Sequence, residues 1–331
     1  MPQLRVTRHR TRRNLARPRT ESAGHRNGSP RVGHSAQPGH TFLLPGGRVG
    51  APGLAAYPRT LLGAAWLTGP ATIPLRRALS SRHPERTRVE LQKLATRSLR
   101  TLRVRLHVGG TEHINRHQAY VIAPLHEGLL DPAVLLQLPL SQVFAMRSEF
   151  YSWRLVGPLL QRTGQITVDP EQPRAGYRAL LVAASNHLAA GTSVVVFPQG
   201  SVLGIETAFS SAAFRLASRY GVPVLPVLIT GTHRAWQYPF SPRIAFGSPV
   251  RMEVLPAVAP EDALTNMRSL EQAMKAAALA ADPPPRRYVP ERDGWWDGYR
   301  FSIDPDYPEL AARVRRHRAD QTPDRDNPPP P

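Results

Sequence analysis

His126 and Asp131 are the residues whose types and spacing most directly suggest chemistry, and they lie in the stretch VIAPLHEGLLDP at 121–132. A histidine titrates near neutrality, and a carboxylate bonded to one ring nitrogen fixes the tautomer while the other nitrogen removes a proton. The same residues have a purely structural interpretation, because an aspartate followed by proline is typical of a helix N-cap and first turn. The pair alone leaves a general base and a capping residue both open.

The elements around this pair alternate between short apolar runs and segments with helical periodicity. A strand should feed the loop that carries His126, and a helix should begin at Asp131. Strands are predicted over 102–108, 119–123, 141–146, 164–168, 193–197, 222–229 and, at an edge, 250–255, and helices over 131–138, 174–190, 205–220 and 261–281. Such alternation predicts an α/β fold, a single domain with a central, largely parallel sheet flanked by helices.

Two loops should lie where such a sheet binds ligands. Ligands collect at the carboxyl ends of parallel strands, because the loops and helix N-termini there offer free amides and a positive dipole. One loop is 124–131, which carries His126. The other is FPQGSVLG at 197–204, which follows the most apolar strand and precedes the helix predicted from residue 205. We expect the site between these two loops.

Four sequence blocks together resemble the glycerolipid acyltransferases typified by 1-acylglycerol-3-phosphate acyltransferase. The family carries a histidine and an aspartate separated by four residues, a Gly-x-Ile-x-x-Asp-Arg block, a Phe-Pro-Glu-Gly block and a Val-Pro-x-x-Pro-Val block. The matching positions, in the family's order, are His126 and Asp131, then GQITVDP at 164–170, then Phe197, Pro198 and Gly200, then VPVLPV at 222–227. The resemblance covers roughly residues 86–256, and four ordered blocks are far more specific than one.

The resemblance implies an O-acyltransferase that moves a fatty acyl group from acyl-CoA or acyl-carrier protein to a lipid hydroxyl. His126 would be the general base and Asp131 would orient its ring. Substrate binding falls to Phe197, Pro198, Gln199, Gly200 and Ser201, with backbone amides near Gly200 and Ser201 stabilising the oxyanion. No covalent acyl-enzyme, metal or cofactor beyond the acyl thioester is expected.

Three positions depart from the family pattern. The family's glutamate is Gln199 here, an expected arginine shortly after it is Val202, and the arginine that closes the Gly-x-Ile-x-x-Asp-Arg block is Pro170. The family associates those residues with the phosphate of the acceptor, so an acceptor hydroxyl without a neighbouring phosphate fits equally well. The arginines that could replace the lost charge are Arg147, Arg162, Arg174 and Arg178.

Charge and composition divide the chain into regions. The formal net charge is +19, and the first fifty residues hold ten arginines against the single acid Glu21, which predicts disorder or a start codon assigned too far upstream. We expect a disordered extension over 1–52, a helical membrane-proximal region over 53–101, the acyltransferase domain over 102–282, a packed segment over 283–318 and a disordered tail over 319–331. With no cysteine, disulfides and thiolate nucleophiles are excluded.

No segment reads as a transmembrane helix. The apolar run 60–75 is too short for a bilayer and contains Pro70 and Pro74, although it could lie in the membrane interface. The segment 86–101 has leucines and arginines at helical spacing, which suits either an interfacial helix or a surface helix packed on the core. We predict a peripheral protein on the cytoplasmic side of the membrane.

Two other functions remain open from the sequence. The positive charge suits a nucleic-acid-binding protein, but no recognition motif is visible, aromatics do not interleave with the arginines, and we expect no specific nucleic-acid partner. The altered positions Gln199, Val202 and Pro170 also suit a family member that binds lipid without turnover. The predicted partners are an acyl thioester donor, a lipid acceptor and the membrane surface.

Overall fold

A seven-stranded sheet forms the centre of the protein in the computed structural model, which describes residues 56–80, 84–152, 157–169, 173–200, 205–236, 244–281 and 301–320. The strands are β1 (Arg105–Gly109), β2 (Val121–Pro124), β3 (Gln142–Arg147), β4 (Ile166–Val168), β5 (Ser193–Val195), β6 (Val224–Thr230) and β7 (Pro249–Val254). The described residues all belong to one compact unit.

Helices connect and cover these strands. They are α1 (Ala56–Thr68), α2 (Ile73–Ser80), α3 (Pro84–Thr101), α4 (Asp131–Leu135), α5 (Gly157–Arg162), α6 (Pro173–Ala189), α7 (Ala212–Tyr220), α8 (Thr232–Ala235), α9 (Ala263–Ala281) and α10 (Pro308–Asp320). None of the helices in the described ranges is long and apolar enough to span a bilayer.

The strand order is β1-β7-β6-β2-β5-β3-β4, and every neighbouring pair is parallel except β6 with β7. The predicted α/β class with a largely parallel sheet is therefore confirmed. The edge assignment of 250–255 is wrong, because β7 lies between β1 and β6. Its alternating pattern gave no sign of this position, since an edge strand and an interior strand that is buried on one face show the same period of two. The outer strand at this edge of the sheet is β1, where Arg105 and His107 are exposed.

Side chains on the two faces of the sheet build two apolar layers. In β2, Val121 and Ala123 point into a cluster with α6, α7 and α9, whereas Ile122 points into a second cluster with α3 and α4. Burial of both faces explains why the central strands are continuous apolar runs. Ala95 and Leu99 of α3 are buried in the second cluster, so the sequence 86–101 forms a helix packed on the core.

The helix predicted over 205–220 begins only at Ala212. The residues before it pair instead with a segment near the C-terminus: Thr207 forms an antiparallel bridge with Ile303, and Ala208 N–H donates to the Ser302 carbonyl over 2.8 Å. Long-range pairing here overrides local helical periodicity, because the backbone groups of 206–208 find partners that a sequence window does not contain.

Several predicted regions fall wholly or partly outside the described residues. These are the extension 1–52, the residues 283–300 of the packed segment, and the tail from 321. Residues 319 and 320, placed in the predicted tail, form the last turn of α10. The remaining domain boundaries stay a prediction.

Replacing Leu225 of β6 by alanine should lower the free energy of unfolding by about 2–5 kcal/mol, because its fully buried side chain leaves a cavity between the sheet and α3. Leu264 of α9 is 44% exposed and provides the matched control, since Leu264→Ala deletes the same atoms at a position that is exposed to solvent. Chemical denaturation of the two variants measures the difference. Equal losses would contradict the assignment of Leu225 to the interior.

Candidate active site

Three loops meet at the carboxyl ends of β6, β2 and β5, which are adjacent at the middle of the sheet. The loop after β2 carries His126 and Asp131, the loop after β5 carries the Phe197 block, and the turn after β6 carries Gly231, Thr232 and His233. Neighbouring strands in a sheet lie about 4.8 Å apart, so side chains of three such loops are within hydrogen-bonding reach of one another. The site is assembled at this point.

The Asp131 carboxylate is fully buried and accepts hydrogen bonds on both oxygens. Its Oδ2 accepts from His126 Nδ1 at 2.6 Å, from Glu127 N–H at 2.7 Å and from Gly128 N–H at 3.1 Å. Its Oδ1 accepts from the Thr232 hydroxyl. Although Asp131 opens α4, it makes no side-chain cap to that helix. The capping interpretation is therefore excluded, because the carboxylate turns back onto the loop that holds His126.

The imidazole of His126 is held on one side and open on the other. Because a carboxylate only accepts hydrogen bonds, Nδ1 carries a proton, and in the neutral imidazole Nε2 then keeps its lone pair. The ring stacks on Phe197 with centroids 3.9 Å apart and planes inclined by 24°. Its side chain is 15% exposed, and no described residue bonds to Nε2. A restrained imidazole with one open nitrogen is arranged to exchange a proton with a bound ligand.

Gln199 joins the Phe197 block to the His126 loop. Its Oε1 accepts from the His126 N–H at 2.7 Å, and its Nε2 donates to Thr207 Oγ1 at 3.2 Å. The side chain is almost completely buried at 4% exposure. Its amide therefore acts inside the protein, between two loops, where the sequence suggested contact with substrate.

The rest of the predicted substrate block is only partly described. Phe197 lies against the imidazole, and the buried Pro198 accepts the Ser210 N–H on its carbonyl at 2.8 Å. Gly200 is exposed with a φ of +68°, and its N–H donates to the Phe197 carbonyl at 3.0 Å. The helix that is predicted to follow this loop starts only at Ala212, and the Gly200 amide is used in a turn. Ser201 lies outside the described residues.

A second carboxylate and imidazole pair lies beneath the first. Glu127 and His233 are both buried, and Glu127 Oε2 accepts from His233 Nδ1 at 2.9 Å and from Gly231 N–H at 2.8 Å. Burial raises the pKa of the Glu127 carboxyl, and the opposing influence of His233 and the Gly231 amide does not cancel it. This contact ties the β6 turn to the His126 loop, which is a structural role for His233.

Thr232 is a site residue that sequence reasoning missed. It follows Gly231, the first residue after β6, and its hydroxyl is the fourth donor to Asp131. A Cβ at Gly128 would lie 2.9 Å from the carbonyl carbon of Thr232, so glycine is needed where the two loops touch. The sequence could have identified Thr232 only by its place, because it lies just after the carboxyl end of a buried strand.

The predicted arginines are not gathered around His126. Arg147 ends β3, which places it at the same edge of the sheet, and its Nε lies 3.2 Å from Glu149 Oε1. Arg174 and Arg178 lie on exposed positions of α6, and no hydrogen bond or ion pair in the described residues links them to His126 or Asp131. Arg162 ends α5. Of the four, Arg147 is the one that the strand order brings to the site edge.

Comparison with known sequences finds similarity to one family over part of the chain. The family described as Acyltransferase matches residues 105–230, which include every strand end that builds the site. The proteins named 1-acyl-sn-glycerol-3-phosphate acyltransferase from Limnanthes alba and Cocos nucifera are 25% identical over 135 residues and 26% identical over 133 residues. These matches cover 40% and 39% of this chain, and only 47% and 42% of the two plant proteins.

Comparison with solved structures supports the same fold. The crystal structure of the 1-acyl-sn-glycerophosphate acyltransferase PlsC from Thermotoga maritima superposes with a TM-score of 0.56 at 20% identity, over 69% of this chain and 95% of that chain. At this identity the likeness establishes the architecture alone. The four ordered blocks, the match to the Acyltransferase family over residues 105–230 and the common architecture agree, and this part of the chain is therefore similar to the glycerolipid acyltransferases.

Proposed function

We propose that this protein is an O-acyltransferase that transfers a fatty acyl group from an acyl thioester to a lipid hydroxyl. The observation that carries the proposal is the contact between His126 Nδ1 and the buried Asp131 carboxylate, with Nε2 at the open side of the site. Such a pair is suited to general-base chemistry on an alcohol, which is a poor nucleophile until its proton is removed. The family match supports the class of reaction.

The proposed step begins when His126 Nε2 removes the proton of the acceptor hydroxyl as the oxygen attacks the thioester carbonyl. The new C–O bond forms a tetrahedral oxyanion, and its collapse breaks the C–S bond. The proton on Nε2 then passes to the departing thiolate, so the products are an ester and a free thiol. Asp131 stabilises the positive imidazolium between these two transfers. The step requires no cofactor besides the acyl donor.

The acceptor is the finer part of the proposal. The plant relatives are named for 1-acyl-sn-glycerol-3-phosphate, so we propose an acceptor of that kind or a related lipid alcohol. Arg147 supports a phosphate-bearing acceptor, because it ends β3 at the edge of the sheet where the site lies and a guanidinium binds phosphate well. Gln199 and Val202, which lack the family's charges, favour a less anionic acceptor.

Incubation of the protein with a labelled acyl-CoA and a total lipid extract should yield a labelled ester that mass spectrometry identifies. His126→Ala should lower kcat by about 10²–10⁴-fold, since the general base is lost while the rest of the site remains. Binding of the acyl donor by the variant should be unchanged. An intact rate in His126→Ala would contradict the general-base role of His126, and lipid binding without product in the wild type would contradict catalysis.

Asp131→Asn separates the proposed role of the charge from a structural role. Asparagine can turn its oxygen toward His126, Glu127 and Gly128 while its amide donates to the Thr232 hydroxyl, so the loop keeps its hydrogen bonds. The loss of charge should lower kcat by about 100-fold or more. Circular dichroism and thermal unfolding should show a folded protein. Full activity in a folded Asp131→Asn variant would remove the aspartate from the mechanism.

We further propose that the protein works at a membrane surface. On α1, the side chains of Leu61 and Leu62 are 71% and 72% exposed, and Trp66 is 47% exposed. Exposed apolar side chains of this size are unusual on a helix in water, and the neighbouring exposed arginines Arg59, Arg76 and Arg77 suit anionic lipid head groups. The cytoplasmic side of the membrane stays a prediction.

Changing Leu61 and Leu62 together to serine should weaken binding to vesicles of phosphatidylcholine and phosphatidylglycerol by about tenfold or more, because two buried apolar contacts with the bilayer are lost. Vesicle co-sedimentation measures the effect. Val182→Ser is the control, since Val182 is 71% exposed on α6, which packs in the cluster with α7 and α9. Equal vesicle binding by the double variant and the control would contradict the membrane role of α1.

A further inference from the structure

A buried cluster of charges lies away from His126 and takes no part in the proposed chemistry. Lys275 of α9 is 3% exposed, and its Nζ bonds to Glu271 Oε1 at 2.6 Å and to the Asp304 carboxylate. Arg268 lies 2.7 Å from Asp304 Oδ1 and 2.9 Å from Glu271 Oε2. Two basic and two acidic side chains therefore compensate one another, which is the condition for keeping such groups in the interior.

The cluster fastens the segment that follows the Phe197 block. Lys275 Nζ donates to the Thr207 carbonyl at 2.9 Å, and Glu271 Oε1 accepts from Phe209 N–H at 2.7 Å. The C-terminal segment adds the bridge between Thr207 and Ile303 and the bond from Asp304 N–H to the Glu206 carbonyl at 2.7 Å. Residues 206–209 are thus held from α9 and from the C-terminal segment together.

Thr207 then connects this cluster to the histidine loop. Its hydroxyl oxygen accepts from Gln199 Nε2 at 3.2 Å, and Gln199 Oε1 accepts from His126 N–H at 2.7 Å. Thr207 is fully buried and Gln199 nearly so. A continuous series of polar contacts therefore runs from Asp304 through Lys275, Thr207 and Gln199 to the backbone of His126. Asp304 and Lys275 lie beyond the family match, which ends at residue 230.

We infer that Thr207, Lys275 and Asp304 are positioning residues that hold the His126 backbone at its working place through Gln199. This inference rests on the proposed function, because it assigns these residues a role in that reaction. Asp131 fixes the direction of the imidazole, whereas Gln199 fixes the loop from which the imidazole projects. A displacement of about 1 Å at a catalytic group can lower the rate about 100-fold. A contact that holds the backbone of the base should therefore affect the rate.

Thr207→Val and Thr207→Ser form the first test. Valine keeps the volume and loses the acceptor for Gln199, and serine keeps the acceptor. With thioester and lipid acceptor at saturation, Thr207→Val should lose about tenfold in kcat with little change in KM, and Thr207→Ser should recover most of it. If Thr207 contributed only to stability, the thermal unfolding temperature would fall while kcat per folded molecule stayed unchanged. That result would overturn the inference.

Hydrogen exchange provides a readout that does not depend on turnover. The peptide that contains His126 should exchange its backbone amides at least about tenfold faster in Thr207→Val than in the wild type, because the His126 N–H loses its anchored acceptor. Unchanged exchange in that peptide would contradict the inference. If the wild type shows no acyl transfer while exchange rises in the variant, the proposed function fails and the positioning contact stands.

The remote end of the series is tested by Asp304→Asn with Asp306→Asn as its control. Both aspartates lie 2.7 Å from Arg268, but only Asp304 bonds to Lys275, and Asp306 is 41% exposed. Asp304→Asn should lower kcat and speed exchange at the His126 peptide, and Asp306→Asn should do neither. Because asparagine keeps the shape of the side chain, this pair decides the question even if Thr207→Val does not fold. Equal behaviour of the two variants would overturn the inference.

Discussion

The site depends on a negative charge, that of Asp131, being kept out of water and fully supplied with hydrogen-bond donors. A buried carboxylate without donors would be strongly unfavourable, so the donors must be present whenever the protein is folded. They come from the loop after β2, through His126, Glu127 and Gly128, and from the turn after β6, through Thr232. Both sets of donors can reach Asp131 because β2 and β6 are neighbours in the sheet. The geometry of the site therefore depends on the strand order.

Sequence patterns were sufficient for the features that are local. The strand before His126 is a short apolar run, and its burial on both faces follows from its composition. The relation of His126 to Asp131 is set within five residues, so spacing alone suggested it. The position of the Phe197 loop also followed, because carboxyl ends of parallel strands share one edge. These inferences used only the chain near each residue and a general property of parallel sheets.

The features that escaped the sequence are those made by distant partners. No local pattern around Thr232 predicts that its hydroxyl donates to Asp131. No local pattern in residues 205–211 predicts that Ile303 and Lys275 bind their backbone groups. The same limit explains why β7 was assigned to an edge, since its antiparallel pairing with β6 is a property of the whole sheet. The departure at Gln199 was visible, but its role as a bridge required the coordinates of both loops.

The partners of β2 are distant from it in the sequence, and this distance also determines at which stage of synthesis the site can form. β2 pairs with β5 and β6, both of which leave the ribosome long after it, and the Ile303 and Asp304 contacts come from a part of the chain made later than every strand. Contacts of high sequence separation are slow to form and leave apolar strand edges uncovered meanwhile. A nascent chain that already includes His126 and Asp131 is therefore still an unfinished sheet, and its apolar strand edges stay exposed until their partners are made.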